Sequence, residues 1–111
     1  MHRVKALLVA TGVLIAVAGH AEDRSRTEGS AQMLLGRDAR DIIELLGAPR
    51  QDVREGVGRK LQFGNDACIL DVYLYPQSTN DTPIAVYLSA RVPDGREAEK
   101  TSCFNVLRGA R

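Results

Sequence analysis

Cysteine and histidine have the widest chemical range of any side chains here, and this 111-residue chain has two of each. His2 and His20 fall in the first twenty residues, inside a segment that reads as a removable leader. Without them the remainder has no imidazole. That excludes Ser-His and Cys-His nucleophile pairs and imidazole ligation of zinc, copper or haem. It also leaves no side chain whose ordinary pKa lies near neutral. Carboxylates or Lys would then have to carry acid–base work with strongly shifted pKa values. No adjacent carboxylates suggest a glycosidase-like dyad. The expectation is a non-enzyme with no catalytic residue, no metal site and no cofactor; a carboxylate-dependent hydrolase is the catalytic alternative.

Cys68 and Cys103 are the only cysteines. Nothing resembles the Cys-x-x-Cys of redox catalysts. In an exported domain of this size an even count reads as a disulfide. Closing residues 68–103 stabilises the fold by about 3.8 kcal/mol in the chain-entropy model. Two free buried thiols are the alternative.

Export is written at the start. Met1-His2-Arg3-Val4-Lys5 is a short basic stretch, Ala6 to Ala18 is apolar, and Gly19-His20-Ala21 supplies small residues before Glu22-Asp23-Arg24. Those are the parts of a secretory signal peptide, with cleavage expected after Ala21. A spanning helix needs about 20 apolar residues, and this run is shorter and contains Thr11 and Gly12. No Cys adjoins the cleavage site, so the processed protein is expected to be soluble, periplasmic or secreted. Residues 22–30 read as a flexible polar tail and 31–111 as one domain.

With 15 Lys+Arg against 14 Asp+Glu, the chain has no basic footprint for nucleic acid. At 44% hydrophobic residues it is not a disordered composition.

The elements follow from period and punctuation. Residues 31–35 are either a short helix or an extended segment. Residues 38–46 predict a helix: Ala39, Ile42, Ile43 and Leu46 share a stripe that Leu45 widens. Asp38 caps it, Asp41 sits in its first turn, and Gly47 and Pro49 end it. A weak strand near 51–55, a turn at Glu55-Gly56 and a better strand at 59–64 follow, the latter burying Leu61 and Phe63. Asn65-Asp66 is a turn.

Residues 68–75 are the strongest strand. Cys68, Leu70, Val72 and Leu74 point to the core, and Ile69, Asp71, Tyr73 and Tyr75 point away. In 84–91, Ile84, Val86, Leu88 and Ala90 are expected in the core, with Ala85, Tyr87, Ser89 and Arg91 outside. A hairpin of these two strands sets Tyr73 opposite Tyr87 and Tyr75 opposite Ala85, or else Asp71 opposite Tyr87; the aromatic pair favours the first. Pro93-Asp94-Gly95 is a turn. Residues 101–108 predict a terminal helix capped by Thr101 or Ser102, with Cys103, Val106 and Leu107 on one face. The predicted fold class is α+β: short helices on one face of a three- to four-stranded antiparallel sheet, stapled by one disulfide.

The tyrosines Tyr73, Tyr75 and Tyr87 fall on the non-core face. With Ile69 and Arg91 they form the candidate partner-binding surface; ordinary strand preference explains Tyr there as well. Asp71 reads as a solvent-side charge paired to a neighbour. Gly56-Val57-Gly58 lacks the Lys-Ser/Thr of a phosphate loop. Asn65-Asp66 and Asn80-Asp81 are too short for an EF-hand calcium loop.

The run Gly36-x4-Asp41-x4-Leu46-Gly47-x-Pro49 resembles the helix motif of the SmpA/OmlA, or BamE-like, outer-membrane assembly lipoproteins. The order of elements also resembles the β-lactamase-inhibitor-like fold. Cys68-Ile69-Leu70-Asp71-Val72-Tyr73-Leu74-Tyr75 is similar to a branch of small exported proteins. The resemblance spans residues 34–91. It implies a scaffold or binding role in the bacterial cell envelope, linked to outer-membrane assembly, with an envelope protein as partner. An inhibitor of an extracytoplasmic enzyme is the alternative it implies. The chain differs from the assembly lipoproteins in lacking their lipid-modified Cys, and in having Leu61 and Phe63 where they carry Trp or Tyr.

Overall fold

The computed structural model describes residues 29–109. The leader expected over 1–21 and most of the tail expected over 22–30 lie outside the described residues. Gly29 and Ser30 are the exception, and they are part of the domain rather than tail. Ser30 caps a 3-10 helix, η1, Ala31–Leu34, accepting from the Gln32 N–H, and Gly29 accepts from the Asn105 amide at 3.4 Å. Of the two readings left open for 31–35, the helical one is observed.

Helix α1, Ala39–Leu46, forms as its punctuation dictates. The Asp38 side chain accepts from the Asp41 N–H at 2.9 Å, and Gly47 ends the helix at φ 90°, a conformation that L side chains rarely adopt. Its apolar stripe buries Ile42 completely, with Ala39 and Leu46 beside it. Ile43 and Leu45 pack at the rim.

Four strands follow as an antiparallel meander, β1 Gln51–Glu55, β2 Gly58–Gly64, β3 Ile69–Tyr75 and β4 Ile84–Arg91, in the order β1-β2-β3-β4. The β1–β2 turn places Gly56 at φ 58° in the first central position of a two-residue hairpin loop, where glycine is favoured. The chain closes with helix α2, Lys100–Gly109. One face of the sheet, carrying Leu61, Phe63, Leu70, Val72, Leu74, Leu88 and Ala90, packs with η1, α1 and α2 into a single core.

The disulfide joins Cys68, just before β3, to Cys103 in α2, with 5.8 Å between Cα atoms. Both residues are buried. The bond ties the terminal helix to the central strand, as the facing of the two cysteines required.

Four expectations are corrected, on register, on strand facing, on the helix stripe and on its cap. Tyr73 does stand opposite Tyr87, but the register then shifts, so that Leu74 faces Ala85 and Tyr75 faces Ile84. A bulge at Val86 reverses the alternation. Ala85 enters the core, while Val86 is 44% exposed and Ile84 only half-buried. In α2 the buried stripe is Cys103, Phe104 and Leu107, and Val106 faces out. The cap of α2 is Glu99, whose carboxylate accepts from the Thr101 and Ser102 N–H groups, rather than Thr101 or Ser102. Those bonds hold the Glu99 carboxyl below its ordinary range.

Candidate functional site

The second face of the sheet has no helix on it among the described residues. Register determines what it displays. Cross-strand partners share a face, so one row runs Val53, Lys60, Tyr73, Tyr87 across all four strands. On one side of it lie Tyr75 and Ile84, with Gly58 against the Tyr75 ring, and on the other the row Gln62, Asp71, Ser89. Beyond that, Ile69 stands opposite Arg91. The five residues singled out from sequence, Ile69, Tyr73, Tyr75, Tyr87 and Arg91, therefore share this face, although Tyr75 and the Ile69–Arg91 pair lie toward opposite ends of it.

The centre is aromatic. Tyr73 and Tyr87 pack with ring centroids 5.6 Å apart and planes tilted by 45°, a favourable arrangement for aromatic pairs. Tyr87 is 57% exposed, and the Lys100 Nζ lies 5.7 Å from its ring centroid, within cation–π range. Tyr73 is half-buried. Its hydroxyl is pushed above the usual phenol range by that burial first, and by the Asp71 charge second.

Gly58 explains the position of Tyr75. A Cβ on Gly58 would lie 2.6 Å from the Tyr75 ring, so the ring occupies the space a side chain would fill. Between this ring, Tyr73 and the β1–β2 hairpin runs a groove of about 250 Å³, lined by Val53, Glu55 and Lys60 among others. A second, apolar hollow of about 190 Å³ lies by the disulfide, between Ala67, Val92, Ala98 and Val106.

Asp71 departs from its reading as a solvent-side charge. It is 2% exposed. One oxygen accepts from Gln62 Nε2 at 2.9 Å and the other from Arg91 Nη1 at 2.5 Å. Neighbouring side chains cover it: Gln62 beside it in the same row is itself buried, and the Arg91 guanidinium reaches across. With both oxygens engaged, the carboxylate is a fixed acceptor that ties β2, β3 and β4 together. Arg91 is correspondingly committed to Asp71, and only its remaining surface is offered to a partner.

The charge of the face is positive. Arg50, whose guanidinium reaches over Gly64, joins Lys60, Lys100 and Arg91; Glu55 and the paired Asp71 oppose them. Among the described residues no group of three or more His, Cys, Asp or Glu is placed to hold a metal ion. No described helix is long and apolar enough to cross a membrane. The arrangement suits adhesion, with flat aromatic area, a groove and cationic tips.

Sequence reasoning missed Lys60, Val53, Gly58 and Lys100. The first was legible, since Lys60 alternates with Leu61 in β2. Lys100 was not, because it reaches Tyr87 only after residues 96–98 fold back along β4.

Compared with known proteins, the chain matches no family model, no curated protein and no solved structure.

Proposed function

We propose that this protein is a non-catalytic, exported protein-interaction or scaffold module of the bacterial cell envelope, whose tyrosine-bearing sheet face binds an acidic surface of an envelope protein. One observation carries this reading: the sheet buries one face under helices, no described helix covers the other, and that open face carries all three tyrosines of the chain. Tyr offers large contact area and a polar tip at low entropic cost, which is why it concentrates in binding surfaces. The excess of Arg and Lys around it favours a carboxylate-rich partner through complementarity and steering.

Export is supported from two directions. The first 21 residues have the three-part pattern of a signal peptide, and disulfides such as Cys68–Cys103 persist in oxidising compartments. The resemblance to envelope assembly lipoproteins points the same way. The engagement of both Asp71 oxygens argues against a carboxylate-dependent hydrolase centred there.

Site-specific photo-crosslinking in the native envelope tests the proposal. A benzoylphenylalanine is placed at Tyr87, at Tyr75, and at Arg40 on the exposed side of α1. Discrete adducts with one acidic protein are expected from positions 87 and 75 and not from 40. Equal labelling at all three positions, or none at the two tyrosines, defeats the reading.

A further inference from the structure

The two edges of the sheet are finished differently. Near both ends of β4 the outward backbone is paired by the chain itself. Ala85 donates to the Arg37 carbonyl at 2.9 Å and accepts from the Gly36 N–H at 2.8 Å, and Ala90 accepts from Ala98 at 2.9 Å. Along β1, among the described residues, no segment pairs on the outer side. All of Gln51–Glu55 is exposed. A bare edge presents unpaired N–H and C=O groups to another strand.

The hairpin fixes which groups point outward. Glu55 and Gly58 flank the two-residue turn, so theirs is a hydrogen-bonded pair, and bonded and non-bonded pairs alternate from there. Val53 therefore bonds inward to Lys60, while the N–H and C=O of Asp52 and Arg54 face out. A second β1 arriving antiparallel must match outward residues with outward residues. Setting Asp52 against Asp52, or Arg54 against Arg54, opposes like charges directly, which is unfavourable. The remaining central register sets Asp52 against Arg54 of the other copy, twice, about a two-fold axis through Val53. Arg54 gains most from this. Within its own chain it stands opposite Arg59 and feels the Asp52 charge, but both Asp52 oxygens are engaged by the Arg59 guanidinium at 2.8 and 2.7 Å. Of the registers centred on Asp52, Val53 and Arg54, the charges thus favour the one centred on Val53.

We propose that β1 is a homodimerisation edge, through which two copies of this chain pair antiparallel over Gln51–Glu55 with Asp52 opposite Arg54 of the second copy. The two sheets become one. Because the axis is perpendicular to the sheet, the row Val53, Lys60, Tyr73, Tyr87 continues into its symmetry mate on the same side. The dimer stands on the edge chemistry alone and does not depend on the tyrosine face having a partner. A five-residue edge buries less than a standard stable interface, so the association is weak and reversible.

Sedimentation of the full gene product, as the host processes it, should show monomer passing to dimer between about micromolar and about millimolar concentration, with the dimer weakening as salt is added. Arg54→Glu sets Glu against Asp52 at both pairs and should weaken the dimer on the order of 30-fold. Asp52→Lys should do the same. Mixing the two variants restores opposite charges at both positions, so a heterodimer should form where neither homodimer does. Circular dichroism checks that each variant is folded. Independently, Val53→Cys on the axis should give an oxidised covalent dimer, because non-bonded antiparallel pairs bring Cα atoms to about 4.5 Å; Val57→Cys, at the tip of the turn, should not. A chain that stays monomeric throughout, variants that do not rescue each other, or equal crosslinking at positions 53 and 57 would overturn the proposal.

Discussion

Asp71 is the residue whose removal the fold should feel most sharply relative to its size. Its side chain is 3% exposed, and each oxygen is engaged, by Gln62 and by Arg91. Asp71→Asn keeps the shape and retains an acceptor for the Gln62 amide, but it turns an amide donor toward the guanidinium. The charge-assisted bond it loses contributes roughly 1.5–3 kcal/mol. Stranding a fully buried Arg would cost about 3–5 kcal/mol; the Arg91 side chain is 35% exposed and regains water, so the lower range applies. The expected loss is about 2 kcal/mol. For a domain of this size that lowers Tm by about 10 °C. Arg91→Met should cost more, about 3 kcal/mol, because it leaves a buried carboxylate with one neutral donor.

The double variant Asp71→Asn/Arg91→Met should fall about 2 kcal/mol short of the sum of the singles, since the second change has no charged bond left to break. Urea unfolding at pH 7, with the slope m checked for constancy, measures all three. Additivity within about 0.5 kcal/mol, or a neutral Asp71→Asn, would mean that the carboxylate is solvated and that the lock across β2, β3 and β4 does not exist.

Further outcomes follow from the staple, from the carboxylates and from Tyr73. Replacing both cysteines by Ala, or reducing the bond between residues 35 apart in sequence, should cost about 3–4 kcal/mol; unfolding midpoints that are equal with and without reductant would contradict this. The Asp52 carboxyl is lowered chiefly by its hydrogen bonds from Arg59, and the Glu99 carboxyl by the N–H groups it caps. Lowered folded pKa values mean that their stabilisation is present above the ordinary values of 3.8 and 4.5 and is lost as pH falls through the folded ones. The Tyr73 hydroxyl is raised above 10.0, so stability should also decline as pH rises past that value, where the unfolded chain ionises first. Thermal melts from acid to alkali should show both limbs; Asp52→Asn together with Glu99→Gln should flatten the acid limb, and an unchanged slope would remove these groups from the account.

Local chemistry made much of this legible. Asp38 caps, Gly47 terminates, and Leu61, Phe63, Leu70, Val72 and Leu88 alternate inward, because each depends on neighbours within one turn or one pleat. The two cysteines were placed correctly because both core-facing stripes were read correctly at those positions. Errors came where a distant segment overrode the local pattern. Strict alternation in β4 put Ile84 and Val86 inside. The backbone of Ala85, however, is pinned on both its N–H and its carbonyl by Gly36 and Arg37. That pinning turns the small Ala85 inward, and the bulge at Val86 restores phase for Leu88 and Ala90. Phe104 rather than Val106 completes the Cys103–Leu107 stripe, at i+1 and i−3. Asp71 was read as solvated because alternation reports which face a residue is on and says nothing of cover by Gln62 and Arg91.

The face that no described helix covers carries more fixed contacts than a solvated sheet surface needs, and that bears on what it is for. A chain of this length has a small core and limited stability. A buried charged lock among β2, β3 and β4, a glycine that makes room for the Tyr75 ring, and a tyrosine pair with Lys100 over Tyr87 all lie on the face opposite the core. Burying Asp71 carries a desolvation cost that an apolar residue of similar volume would avoid, so stability alone does not account for it. What the lock provides is order: it fixes Arg91 and holds strands β2 to β4 at the row beside Tyr73, so that the aromatic surface loses little freedom when covered. Surfaces that are pre-organised in this way gain affinity because less ordering remains to be done on contact. A face meant only for water has no use for that, and this supports the proposal that the face is a docking surface.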